Sequence, residues 1–153
     1  RRQRQMCIRD SVLASVSQAR KSENEFIFEC DRESMDMRTD TQRLQQVIIN
    51  LLSNADKFTR NGKITLGLKM DEKQREVLFS VSDTGTGIPL EKQKLVFERF
   101  EKLNEYVQGT GLGLSICKLT VEKWGGKIWV DPGYTDGARF VFTHPLDIEQ
   151  PKK

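Results

Sequence analysis

The sequence predicts an α+β domain, and three patterns carry that class. Residues Asp40 to Phe58 place Leu44, Val47, Ile48, Leu51, Leu52 and Ala55 on one face at helical spacing, as an amphipathic helix packed on a core requires. Two alternating runs follow, Ile64-Leu66-Leu68-Met70 and Val77-Phe79-Val81, each with the two-residue period of a half-buried strand. A glycine run then leads into a second helical stretch that ends near Trp124, where Gly125-Gly126 supplies a C-cap. A length of 153 residues suits one domain with a true core, and 37% hydrophobic with 31% charged residues is a globular composition.

Composition also excludes several function classes. A net charge of +3, spread as mixed signs, describes a solvated surface and not a nucleic-acid face. No apolar run approaches the ~18 residues of a membrane span, and the first ten residues lack a stretch of signal-peptide length, so no direct membrane contact is expected. Cys7, Cys30 and Cys117 are odd in number and far apart, which reads as reduced thiols of the cytosol. The single histidine, His144, rules against a His/Cys zinc cluster.

Taken in order, Asp10 to Arg20 carries Val12, Leu13 and Val16 at helical spacing, with Asp10 as N-cap. Phe26-Ile27-Phe28 reads as a short strand, and Met35 with Met37 as another. Thr39-Asp40 is a capping pair for the helix that follows, Asn61-Gly62 is a turn, and Asp71 to Arg75 is a polar loop. Glu91 to Phe100 is expected to be a short helix, and Glu101 to Gln108 a polar, mobile segment. Ile128 and Val130, then Phe140 and Phe142, form two last strands around the Asp131-Pro132-Gly133 turn. His144, beside Pro145, is expected at the surface, and residues 147–153 form a polar tail.

Some residues sit where propensity alone would not put them. Asn50, Asn54 and Lys57 recur at i, i+4 and i+7, within about 60° of one another, with Phe58 at the margin. This stripe borders the apolar face, and mid-helix asparagines cost helix propensity. It reads equally as a polar waterline or as the wall of a site. Asp83 continues the inward face of the second strand, where an unpaired charge is expensive. It is either a turn aspartate before Thr84-Gly85 or an acceptor awaiting a ligand donor. Gly85-Thr86-Gly87-Ile88-Pro89 bends sharply or admits a close approach. Gly109-Thr110-Gly111-Leu112-Gly113 opens a helix, where free N–H groups and the helix dipole suit phosphate. Leu114 breaks a dinucleotide fingerprint, and Gly62-Lys63 and Gly126-Lys127 are followed by isoleucine, so neither is a P-loop.

In this order, Asn50-x-x-x-Asn54-x-x-Lys57-Phe58, Asp83-Thr84-Gly85-Thr86-Gly87-Ile88-Pro89, Val96-Phe97-Glu98-Arg99-Phe100 and Gly109-Thr110-Gly111-Leu112-Gly113-Leu114 closely resemble the asparagine, first glycine, phenylalanine and second glycine boxes of the catalytic and ATP-binding domain of bacterial two-component histidine kinases. The resemblance covers roughly residues 6–146. It implies a Bergerat-fold, two-layer α/β sandwich: a mixed, mostly antiparallel sheet covered on one face by helices, with a flexible ATP lid. Residues 1–5 would be the remnant of a linker from a preceding helical dimerisation domain.

The resemblance also implies roles. Asp83 would accept from the exocyclic amine of adenine and, facing the carbonyl of guanine, select ATP over GTP. Gly85 and Gly87 would let the backbone pass close to the base, with Ile88 in the same binding set. Asn54 would supply an oxygen to Mg²⁺, Lys57 a point charge to phosphate, and Phe58 an aromatic beside adenine. The lid, about Leu90 to Gln108, would use Lys102. Gly111 and Gly113 would let it hinge and present N–H groups to the phosphates, with Thr110 and Leu112 in the same binding set. Asn50, Asn54 and Lys57 form the expected catalytic set.

Two features depart from the family. The usual glycine-threonine motif is Gly137-Ala138-Arg139 here, and no phosphoacceptor histidine sits on a long helix. The implied function is therefore transfer of the γ-phosphate of Mg-ATP to a histidine on a separate helical-hairpin domain, feeding a response regulator. The fragment would be monomeric and cytoplasmic, and its parent dimeric at the bacterial inner membrane. The alternatives are an ATP-driven switch or hydrolase and a degenerate nucleotide-binding module. The hydrolase relatives carry a glutamate base where this chain has Asn50, an amide that cannot take a proton at neutral pH.

Overall fold

Asp40 starts the helix around which the domain is arranged. Its side chain accepts the Arg43 N–H at 3.3 Å and caps α1 (Thr41–Lys57), as the sequence predicts. The buried residues of α1 are Leu44, Val47, Ile48, Leu51, Leu52 and Ala55, the same six that define its apolar face in the sequence. The structure is a computed structural model that describes residues 4–7, 23–31, 36–98 and 113–146. The helix expected over Asp10 to Arg20 lies outside the described residues.

The other described elements are β1 (Arg4–Cys7), β2 (Glu25–Cys30), β3 (Asp36–Thr39), β4 (Lys63–Asp71), β5 (Glu76–Asp83), α2 (Gly113–Lys123), β6 (Ile128–Val130) and β7 (Arg139–Pro145). Five strands form one sheet in the order β2-β4-β5-β7-β6, with β2 parallel to β4 and the other pairs antiparallel. Alternation assigns the inner face: Ile64, Leu66 and Leu68, then Val77, Phe79 and Val81, then Phe140 and Phe142 are all buried. α1 lies against β4 and β5, and α2 against β6, β7 and α1. The result is the expected α+β sandwich of a mixed sheet covered by helices. Phe79 and Phe142, register partners on β5 and β7, stack with centroids 4.5 Å apart.

β1 and β3 pair as a separate two-stranded ribbon, Arg4 opposite Thr39, so Arg4 and Gln5 take part in a strand although the sequence reads them as linker. Among the described residues no helix is long and apolar enough to cross a membrane.

Two expectations are corrected. Over residues 91–98, the described part of the helix expected from Glu91 to Phe100, there are instead two 3-10 turns, Leu90–Lys92 and Leu95–Phe97. Each closes on i to i+3 bonds, such as Lys92 N–H to the Pro89 carbonyl, which a short segment can satisfy without continuing. Val96 and Phe97 both reach the core, and Phe97 meets the Phe140 ring edge-on at 5.9 Å.

His144 is not at the surface. It is fully buried, with Nε2 at 3.0 Å from the Thr39 hydroxyl and Nδ1 at 2.8 Å from the Pro145 carbonyl. Its ring also lies 4.6 Å from that of Trp124. Burial pushes its pKa down to about 4, against a smaller upward pull from the Pro145 carbonyl. The two-residue period from Phe140 and Phe142 continues to His144, and that is the signal that places it inside.

Candidate active site

β5 delivers Asp83 to the end of the inner sheet face, 1% exposed. Its Oδ1 accepts the Gly85 N–H at 2.9 Å and the Ala138 N–H at 3.1 Å. Its main chain is held as well: Asp83 N–H donates to the Ala138 carbonyl at 2.9 Å, and the Tyr134 hydroxyl donates to the Asp83 carbonyl at 2.8 Å. Burial raises the carboxyl pKa, while the Gly85 and Ala138 amides pull it down. Among the described residues no hydrogen bond reaches Oδ2. This is a carboxylate tied from behind with one acceptor unspent. The bond from the Gly85 N–H, two residues on, is the one a turn aspartate makes, and the bond from the Ala138 N–H is an additional, long-range one.

The two glycines after Asp83 serve close approaches. A Cβ on Gly85 would collide with the Phe58 carbonyl and crowd the Thr59 hydroxyl, and Thr86 N–H donates to that same carbonyl at 3.3 Å. The end of α1 and the first glycine loop are thereby locked together. Gly87 has φ +77°, in the left-handed region that favours glycine, and lies against Gly137. Ile88 is buried in the core.

Asn50, Asn54 and Lys57 run along α1, and Phe58 is its half-buried C-cap, with Lys57 Nζ 6.0 Å from its ring centroid. Asn50 is held from both sides: Gln46 Nε2 donates to its Oδ1 at 3.0 Å, and its Nδ2 lies 3.7 Å from Cys117 Sγ on α2. Burial raises the Cys117 thiol to about 12, so it is uncharged. The amide nitrogen of Asn54 is buried and, among the described residues, lacks a hydrogen-bond partner, as does the Thr59 hydroxyl. An orphaned buried polar group costs about 1–3 kcal/mol unless something satisfies it, and such groups cluster where ligands complete the bonding.

Gly113 is the exposed first residue of α2, and a Cβ there would meet open space among the described residues. Lys102, Thr110, Gly111 and Leu112 lie outside the described residues. Sequence reasoning missed Tyr134, the close fit of Gly137 on Asp83, where a Cβ would collide with the Asp83 carbonyl, and the Asn50–Cys117 contact. The Asp131-Pro132-Gly133 turn marked this loop, but nothing in it showed which strand end the loop would reach.

The chain is similar to known proteins in sequence and in fold. Residues 39–148 match the family described as histidine kinase-, DNA gyrase B- and HSP90-like ATPase. The chain is 45% identical over 113 residues to the adaptive-response sensory kinase SasA of Parasynechococcus marenigrum, a match covering 70% of this chain and 29% of that protein. It is 41% identical over 113 residues to the sensor protein KdpD of Clostridium acetobutylicum, covering 71% of this chain and 12% of that protein. The catalytic domain of histidine kinase ThkA superposes with a TM-score of 0.84 at 33% identity, covering 95% of this chain and 97% of that one. ThkA in complex with the response regulator TrrA gives 0.78 at 30% identity, over 97% of this chain and 43% of that one. The chain belongs to the histidine kinase-, DNA gyrase B- and HSP90-like ATPase family, with the architecture of a histidine kinase catalytic domain.

Proposed function

We propose that this chain binds ATP and presents its γ-phosphate to a histidine on a separate helical-hairpin domain. The carrying observation is Asp83, a buried carboxylate with Oδ1 spent on two amides and Oδ2 without a hydrogen bond among the described residues. An exocyclic amine donates to such an oxygen, and the carbonyl of guanine is repelled by it. Gly85 and Gly87 keep the loop thin beside the base, and Phe58 supplies an aromatic surface. Lys57, exposed at the end of α1, offers a point charge to the phosphates.

Asn54 fits the remaining role: its buried amide nitrogen, without a partner among the described residues, is a donor suited to a phosphate oxygen, and its Oδ1 would be the atom offered to a metal. Mg²⁺ held by its oxygen, phosphate oxygens and water would neutralise charge on the triphosphate, and a site of this type needs no carboxylate cluster. Among the described residues no such cluster occurs. Asn50 is an amide fixed by Gln46 and Cys117, suited to orienting a group and unable to deprotonate water. A neutral imidazole needs no such base. Its nitrogen lone pair forms the bond to phosphorus, the bond to the bridging oxygen breaks, and ADP leaves. Lys102, Thr110, Gly111, Leu112 and Gly113 complete the proposed phosphate contacts. The phosphohistidine then serves a response regulator, a partner class that the ThkA–TrrA complex supports.

The test mixes this chain with the hairpin domain of its parent and [γ-³²P]ATP. Acid-labile, alkali-stable label on the hairpin supports the proposal, and loss of that label with Asn54→Ala supports its site. Rapid ATP turnover by this chain alone, with no label transferred, would sink the kinase reading in favour of a switch.

A further inference from the structure

We propose that Tyr134 is a positioning residue for nucleobase selection: its hydroxyl fixes the main chain of Asp83, so that one carboxylate oxygen alone is left to the base. The inference rests on the adenine-binding reading of Asp83. Ala138 gives Asp83 its N–H but has no side-chain donor to offer. The hydroxyl beside Asp83 is that of Tyr134, 2.8 Å from the Asp83 carbonyl oxygen.

Tyr134 is itself well held. Tyr134 N–H donates to the Asp131 carbonyl at 3.3 Å, and the Arg139 guanidinium lies 4.3 Å from the Tyr134 ring centroid. Arg139 is anchored in turn, with Nε donating to Ser82 Oγ at 2.7 Å and Nη1 3.5 Å from Asp131 Oδ2. Burial, and then the Asp136 carboxylate, push the Tyr134 pKa up despite Arg139, so the hydroxyl keeps its proton and remains a donor. Gly137 lets this loop close onto Asp83, since any Cβ there would strike the Asp83 carbonyl. With its N–H, carbonyl and Oδ1 all bonded, Asp83 has no freedom to turn its second oxygen away from the base.

The test is a comparison of two ligands. Dissociation constants are measured for ATP and for purine riboside triphosphate, which lacks only the 6-amino group, on wild type, Tyr134→Phe and Asp83→Ala. Tyr134→Phe is expected to weaken ATP roughly 5- to 10-fold, the scale of one misaligned hydrogen bond, and to leave the des-amino nucleotide within about twofold. Equal losses for both ligands would mean a general structural role, and no loss for either would mean no role. Each result overturns the inference. Arg139→Gln removes the stack but keeps the hydroxyl, and is expected to give the same selective pattern at smaller amplitude, which reads the inference should the phenylalanine variant fail to fold. Asp83→Ala separates the two claims: if it keeps a preference for ATP over the des-amino nucleotide, the adenine reading itself is wrong.

Discussion

Burial disfavours the charged form of Asp83, and that has a cost in the ligand-free protein. Burial raises its pKa in the folded state above the unfolded value of about 3.9. A carboxyl shifted in this direction contributes stability below its unfolded pKa, and loses it as pH rises through the folded pKa. Asp83→Asn keeps an oxygen for the Gly85 and Ala138 amides and removes the buried charge. Its ligand-free melting temperature at pH 7 is expected to equal or exceed wild type by roughly 2–6 °C. The difference should shrink in acid, while the upward shift given by ATP is lost. A melting temperature several degrees below wild type would show that the charge holds the loop together.

Among the elements, α2 shows most directly how a local rule and a tertiary contact combine. Gly125 has φ +91°, and the bonds Gly125 N–H to the Glu122 carbonyl and Gly126 N–H to the Val121 carbonyl form a Schellman motif. The pair of glycines has two separate causes. Gly125 is needed for its backbone conformation, and alanine there is expected to cost about 1 kcal/mol. Gly126 is needed for space, because a Cβ would strike the Thr143 carbonyl of β7 and crowd Trp124 Nε1. Gly126→Ala is therefore expected to cost about 2–3 kcal/mol, the range of an overpacked site. Urea unfolding of both variants checks the order, and an equal cost would remove the distinction.

Across the whole molecule, His144 joins parts that are distant in the chain: β3 through Thr39, α2 through Trp124, and its own strand β7. Its pKa is lowered to about 4 by burial. A histidine kept neutral in the fold contributes stability above its unfolded pKa of about 6.5, and loses it as pH falls through the folded value. Stability is expected to fall by up to about 3 kcal/mol between pH 6.5 and 4 from this group. His144→Gln, which retains hydrogen-bonding capacity without titrating, should flatten that part of the profile in denaturant melts. A variant with the wild-type slope would assign the acid sensitivity elsewhere.

Periodicity in the sequence determined which residues face inward within each element. Asp40 to Lys57, Ile64 to Met70 and Val77 to Asp83 behave as their local patterns dictate, because an apolar face is encoded at fixed intervals along one helix or strand. The order of the asparagine and glycine motifs determined the family in the same way. Tertiary structure decided which faces meet. Pairing of Ser82 with Arg139 and of Val77 with His144 brings the loop bearing Tyr134 to Asp83 and the single histidine against Trp124. The orientation of the Asp83 carboxylate depends on amides donated from position 85 and from position 138, a contact 55 residues away along the chain. No spacing rule reaches that far, because register between strands is set by how their side chains pack together and not by the pattern of either strand alone.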